Sequence, residues 1–507
     1  MNIKSTILLI FAFLLHFSCQ LNATIIYLPT NIWNGCKDGI DSLKVLAAFH
    51  RPYIGKDVTI RYPANQTIHV TITQGAQTIW LPARTDFNGC TIIAKNTNRA
   101  FFLFAIARPD DAAKPVEIEK KQIDGGNFSR IAPLASGTKM LLLTDTTPWV
   151  ENRAGYSYGA TRKDILLIKN GKTTDRATAP YNTPATMPQC KYLEADTIAK
   201  TFSNLTFVRH EASTSITNLL NISLQNNVSI ANVAVLTPPP ASPDAPVCGD
   251  QCFKVRDAVD VTVSSITVRG TYSDYNQYGY AINMDNVRRS RFVSLRAEAE
   301  WGIFGNNNIH TATLDSCDIN RFDIHCYGRD VMFNHCTFRN AQDNINTYNQ
   351  FSSVYGTIKF SDCKFLEFCP ILHEYSYNAY TSYDLVMRNC YMELNNNRNS
   401  IVNVGFLSNE INSRPELSSK CWPNITIDGL TIKTNGVPEF YLFKVMGDNL
   451  YGKKVGYLSN ITVNRLTFIP TEATINFTES TFSVKTAKRL KRNISLPHTV
   501  TLKKRIN

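Results

Sequence analysis

Beyond residue 23 the chain has no apolar run near the roughly 20 residues that cross a bilayer, so the mature protein is expected to be soluble or tethered only at its start. Charge is also sparse, with Asp, Glu, Lys and Arg together making up 19% of residues. The net charge of +12 is unevenly placed. Lys485, Lys488, Arg489, Lys491, Arg492, Lys503, Lys504 and Arg505 stand without an acid in 485–507, and Lys4 lies in the leader, leaving only +3 elsewhere. An acidic partner is permitted by that balance and not demanded, and no nucleic acid is called for. Cys248 and Cys252, in VCGDQC, have no second cysteine pair and no nearby histidine, so they are a poor zinc motif and a better disulfide candidate.

What is present begins with Lys4, the apolar run Ile7 to Phe17 and the small Ala23, which predict a secretory leader over 1–23. Cys19, directly after Ser18, offers a second cleavage point at which a lipid would tether the chain to a membrane. Either way the chain is expected to be exported, to the periplasm or outer surface of a bacterium. The remainder divides into 24–484, read as one repetitive domain, and a basic tail, 485–507, read as a solvated end.

From about residue 200 an eight-residue frame recurs with apolar positions one, three, six and eight, as in KTFSNLTF, VSIANVAV, VTVSSITV, VMFNHCTF, IKFSDCKF and ITVNRLTF. The switch from odd to even inward positions implies a bend between two short strands. The sixth positions run Leu205, Val233, Ile266, Leu295, Cys317, Cys336, Cys363, Cys390, Leu430 and Leu466, with variable spacing. Constant strands with variable turns predict a solenoid of ten or more coils. The four in-frame cysteines read as a buried ladder of thiols, not as disulfides. LKVLAAF, led by Asp41 or Ser42, predicts a short amphipathic helix that lids the first coil, whose strand edges would otherwise face solvent. Residues 100–190 are less regular and read as excursions from the first coils. Asn-x-Ser/Thr triplets such as Asn204-Leu-Thr and Asn460-Ile-Thr fall on the frame, where turns and strands explain them without glycosylation.

A second periodicity places Ile282, Ile303, Ile324, Ile345 and Leu372 at steps of 21, 21, 21 and 27. Stacking these coils with equal register puts Asn283, Phe304, His325, Asn346 and His373 in one column. The next columns are Asp285, Asn306, Tyr327, Tyr348 and Tyr375, then Val287, Asn308, Arg329, Gln350 and Tyr377. Read as one strand, NRFDIHCYGRD turns Arg321, Asp323, His325, Tyr327 and Arg329 to the same outer wall. Tyr272, Tyr275, Tyr278, Tyr280 and Trp301 offer flat faces on which sugars can stack.

Variable coils, an N-terminal cap and ladders of like residues resemble the pectate-lyase-like right-handed parallel β-helix superfamily. INRFDIHCYGRD, YNQFSSVYG and YSYNAYT are similar to exported bacterial polysaccharide lyases that act on uronic-acid glycans. The resemblance implies an all-β, single-stranded solenoid acting as a monomer on an acidic polysaccharide, with chondroitin or hyaluronan as first substrates. The calcium aspartates of classical pectate lyases find no counterpart here, so no cofactor is expected, and calcium stays open without a motif.

Elimination from a uronate needs a base, a proton donor for the leaving oxygen and a partner for the carboxylate. The expected assignment is His325 as base, Tyr327 as acid and Arg329 as carboxylate partner. His373 with Tyr375 forms a rival pair, and Tyr348 is a further acid. Arg321, Asn306, Asn346, Gln350, Trp301 and Tyr280 would bind the sugar. A glycoside hydrolase would instead need two carboxyls about 5 to 10 Å apart, for which Asp323 and Glu374 are the pair. No tight acidic cluster marks the wall, and a non-catalytic glycan-binding or adhesion solenoid completes the alternatives.

Overall fold

In a computed structural model the chain is a parallel β-helix lidded by one short helix. The structure describes residues within 24–503, apart from 33–41, 151–159, 177–188, 239–251, 270–279, 298–301, 340–348, 367–371, 376–381, 395–399, 406–423, 447–459, 470–475, 479–490, 495–500 and a few single or paired positions. The leader, Cys19 and Cys248 therefore lie outside the described residues.

Outside an inserted sheet, the strands pair in parallel with their equivalents in the neighbouring coils. The sequence Phe101–Ala107, Thr217–Leu236, Phe253–Arg269, Tyr280–Val293, Gly302–Asp315 and Phe322–Asn334 forms six successive rungs. The stacking continues to Lys491–Ile494 and Thr501–Lys503, which pair with Asn460–Ile469 and Asn476–Thr478. Part of the segment read as a solvated basic tail is thus strand of the last coils.

The bend expected inside the eight-residue frame is a left-handed residue at its fifth position. Asn204, Asn232, Ser265, Ser294, Ser316, His335, Asp362, Asn389 and Arg465 all have φ between 50° and 63°, and Gly429 has φ 84°. Asparagine and aspartate tolerate this region best among residues with a side chain, and glycine enters it at no steric cost. The bend lets positions three and six both face inward. All ten sixth-position residues are accordingly buried. Cys317, Cys336, Cys363 and Cys390 are free thiols in that ladder, each donating to the carbonyl two residues before it. Phenylalanines stack beside them, with Phe333 on Phe360 and Phe338 on Phe365 at centroid distances of 4.7 and 4.9 Å.

The lid is the helix Ser42–His50, whose buried Leu43, Leu46 and His50 face the first coils. His50 Nε2 lies 2.9 Å from the Tyr62 hydroxyl, and burial pushes its pKa down to about 3.

The excursion between the first coils is a second body. Lys114–Pro115, Thr138–Val150, Ala160–Lys169 and Gln189–Glu194 form a four-stranded antiparallel sheet. Alternation along its strands gives it two apolar faces. Leu141, Leu143, Leu166 and Ile168 pack with Phe128 and Ile123 in the insert's own core, while Met140, Ile165 and Leu193 pack on Leu224 and Val259 of the solenoid.

Candidate active site

The wall is built on a column that the observed register assigns as Lys254, Asn283, Gly305, Asp323, Gln350, His373 and Asn403. This differs from the equal-register expectation, which put Phe304 and His325 here. Phe304 is instead in the core. The coil steps set this, since Ile282 pairs with Phe304 and Phe304 with Phe322, 22 and 18 residues on and not 21; a bulge follows, where Asn306 pairs with Ile324 and Asn307 with Cys326, leaving His325 as the extra residue on its strand. Bulges re-aim a side chain where regular pairing cannot.

At this bulge four side chains meet. A Cβ on Gly305 would come within 2.5 Å of the Tyr280 ring, so only glycine lets that ring lie across the column. The Tyr280 hydroxyl reaches Asp323 Oδ2 at 2.7 Å and His325 Nε2 at 2.9 Å. Arg321 grips Asp323 from the other side, with Nε at 2.9 Å from Oδ1 and a terminal nitrogen at 2.6 Å from Oδ2. Covered in this way, Asp323 and Arg321 are 0% and 1% exposed, whereas the His325 side chain keeps 25% exposure. Burial pushes the Asp323 pKa up, but the Arg321 charge and the His325 contact outweigh it and hold the carboxyl below the usual carboxylate range. A fixed buried anion therefore stands behind a tyrosine that touches a half-exposed histidine.

Several expected members of the site lie elsewhere. Tyr327 is buried, with φ 57°, at a second corner ladder shared with Leu224, Asp257, Asn286 and Asn308. This left-handed turn ends the single-strand alternation on which the His325, Tyr327, Arg329 trio depended. Past the corner, Arg329 pairs with His310 and Tyr355, on a different face from His325. Arg321 is taken up by Asp323, so it is not a carboxylate clamp for substrate. Asn306 is fully buried in the inner column between Met284 and Ile324, and neither amide atom has a hydrogen-bond partner among the described residues. Tyr280 contributes its hydroxyl to the polar centre in addition to a ring. Trp301, Asn346 and Tyr348 lie outside the described residues, and only the backbone of Gln350, His373, Glu374 and Tyr375 is described. His373, not Glu374, continues the Asp323 column, so the two expected hydrolase carboxyls do not share one. Among the described residues no group of three or more His, Cys, Asp or Glu is placed to hold a metal ion.

The corner asparagines also fasten the insert beside this wall. Asn308 Oδ1 accepts from the Lys163 backbone N–H at 2.8 Å, and its amide nitrogen donates to Asp285 at 2.9 Å. Lys163 Nζ pairs with Asp285, on the wall side of the corner. Beyond the corner, buried Arg288 donates to the carbonyls of Ile165 and Arg176 and faces the Asp164 carboxylate at 3.4 Å. Sequence reasoning put Asp285 in a wall column but missed Lys163 and its pairing with Asp285, because the insert has no repeat that would predict its register on the solenoid.

The fold defines this chain as a parallel β-helix protein with a polar wall. No family model and no curated protein matches it. Among solved structures it is similar to the Gp54 tailspike of Acinetobacter baumannii bacteriophage AP22 in complex with capsular saccharide, at 11% identity and TM-score 0.54, over 93% of this chain and 79% of that one. It is also similar to the gp61 tailspike of Pseudomonas phage phi297, at 10% identity and TM-score 0.49, over 86% and 76% of the two chains. The first of these likenesses shows the shared β-helix fold.

Proposed function

We propose that this chain is an exported polysaccharide-degrading enzyme that cleaves a uronate-containing glycan by β-elimination, with His325 as the proton-transfer group. The observation that carries the reading is the Tyr280 hydroxyl lying between the Asp323 carboxylate and the His325 ring. If Tyr280 donates to Asp323, its oxygen accepts from His325 Nε2–H, and the other ring nitrogen holds the lone pair. That nitrogen takes the proton beside the uronate carboxylate. A carbon–carbon double bond forms, the glycosidic carbon–oxygen bond breaks, and the imidazolium returns the proton to the departing oxygen. The imidazolium is stabilised through Tyr280 by the buried Asp323 charge, the logic of a base held by a third group. The charge growing on the uronate carboxylate falls to donors other than Arg321 and Arg329. Asn283 and Asn307, in the two wall columns, are the polar groups placed for it.

The AP22 tailspike, solved with a capsular saccharide, adds capsular polysaccharides to chondroitin, hyaluronan, alginate and pectin as substrates to try. The test follows ultraviolet absorbance of an unsaturated uronate while the purified protein acts on this panel. Wild type is expected to raise absorbance with at least one polymer, and His325→Gln to lower kcat by about 100-fold or more, the usual worth of a general base. New reducing ends without absorbance would make the chain a hydrolase, and binding without product would make it a glycan-binding solenoid. Either result overturns the elimination.

A further inference from the structure

We infer that Lys163 of the insert and Asp285 of the wall form a second sugar subsite, which reads a pair of neighbouring hydroxyls on a ring further along the glycan chain from the cleaved linkage. This rests on the reading of the wall as a glycan-cleaving surface.

The seam between insert and solenoid is built so that one strand straddles a corner. Residues Asp164 and Ile165 meet Arg288 on the far side, while Lys163 turns to the wall. Its backbone is fixed by Asn308, a buried corner residue, and the same amide fixes Asp285 through its nitrogen. Both members of the pair are therefore positioned by one rigid side chain and not by each other alone. Neither is buried: the Lys163 and Asp285 side chains are 28% and 23% exposed. A half-exposed ion pair of this kind contributes little to stability, so stability gives little reason for holding it so firmly.

The position suits a polymer. Asp285 pairs with Asn307 and Asn307 with Cys326, the neighbour of His325. Two rungs separate the pair from the bulge, about 10 Å at the spacing of hydrogen-bonded strands. A polysaccharide laid along the stack with one linkage at His325 brings a ring further along the chain to Lys163. There an ammonium donor and a carboxylate acceptor stand side by side. Adjacent sugar hydroxyls can satisfy both at once, one accepting from Lys163 and the other donating to Asp285. A paired cation and anion carry no net charge and so favour a hydroxyl pair over an anionic group. The inserted sheet thereby becomes a specificity element of the wall.

The experiment compares wild type with Lys163→Met, Lys163→Arg and Asp285→Asn on whichever glycan the enzyme cleaves. Loss of binding made equally in ground and transition states raises KM alone. The expected result is a KM raised about tenfold or more in K163M and D285N, equivalent to one hydrogen-bonded contact, with kcat and Tm unchanged and K163R near wild type. An unchanged KM, or a fall of kcat and Tm together, overturns the subsite. If no glycan is cleaved, retention in gels containing chondroitin, hyaluronan or alginate separates the two ideas. Retention lost in K163M but kept in H325Q supports the subsite although elimination has failed. Equal retention of K163M and wild type, or none by either, overturns it.

Discussion

The buried titratable groups give this fold a definite response to acid. Burial pushes the pKa of His50 down to about 3, and burial together with Arg288, Arg329 and Arg289 pushes that of His310 down to about 2. Both are neutral when folded but take up protons near 6.5 once unfolded. Between pH 6.5 and 3 the unfolded chain therefore binds more protons, so their contribution is complete above 6.5 and is lost as pH falls. Each histidine removes up to about 1.4 kcal/mol per pH unit in that window. Asp323, held low, acts in the same sense below pH 4, since its contribution is present above its unfolded pKa and disappears on protonation. Urea midpoints measured from pH 7 to pH 4 should fall steadily. His50→Gln, which can still bond Tyr62 but does not titrate, should flatten the slope by one proton. An unchanged slope would mean that His50 opens to solvent before the chain unfolds.

At the scale of the element, the corner ladder governs how well each coil closes. Ser265 is exposed and sits at φ 53°, so its side chain loses little packing when changed. Any side chain in that region carries a cost of about 1–2 kcal/mol that Ser265 already bears, and a β-branched one is crowded further, so Ser265→Val should destabilise while Ser265→Asn stays near neutral. Equal denaturant midpoints for the two variants would show that the corner relaxes. The same element explains what could be read in advance. Repeating residues made the inner ladder legible, down to the thiols Cys317, Cys336, Cys363 and Cys390, because burial at a fixed frame position leaves a periodic mark. His325, Asp323 and Tyr280 were each recognisable as polar groups of the wall. Their arrangement was not, since coil steps of 22 and 18 residues, the bulge at His325 and the left-handed Tyr327 break the period while leaving composition unchanged. Arg321 and Asp323 looked like two outward groups because nothing in the chain marks that Tyr280 covers them across Gly305.

At the scale of the molecule, the solenoid and its insert are joined by a few buried polar contacts beside the apolar seam of Leu224, Val259, Met140 and Ile165. Arg288 is the largest of these, 1% exposed and bonded to the carbonyls of Ile165 and Arg176. Replacing it with methionine keeps much of the volume but takes a donor from two carbonyls and a charge from beside the Asp164 carboxylate. Removing one partner of such a buried set costs about 3–5 kcal/mol. That cost falls on the docking of the insert, because the coils on either side remain paired through their own backbone ladders. Hydrogen exchange in Arg288→Met should accordingly rise across Thr138–Val150 and Ala160–Lys169 while Phe253–Arg269 and Phe322–Asn334 stay protected. Undocking also takes Lys163 away from the wall, so the variant should share the raised KM of K163M despite leaving every wall residue in place. Uniform loss of protection through both bodies would instead show that insert and solenoid fold as one unit, with Arg288 holding the whole and not the joint.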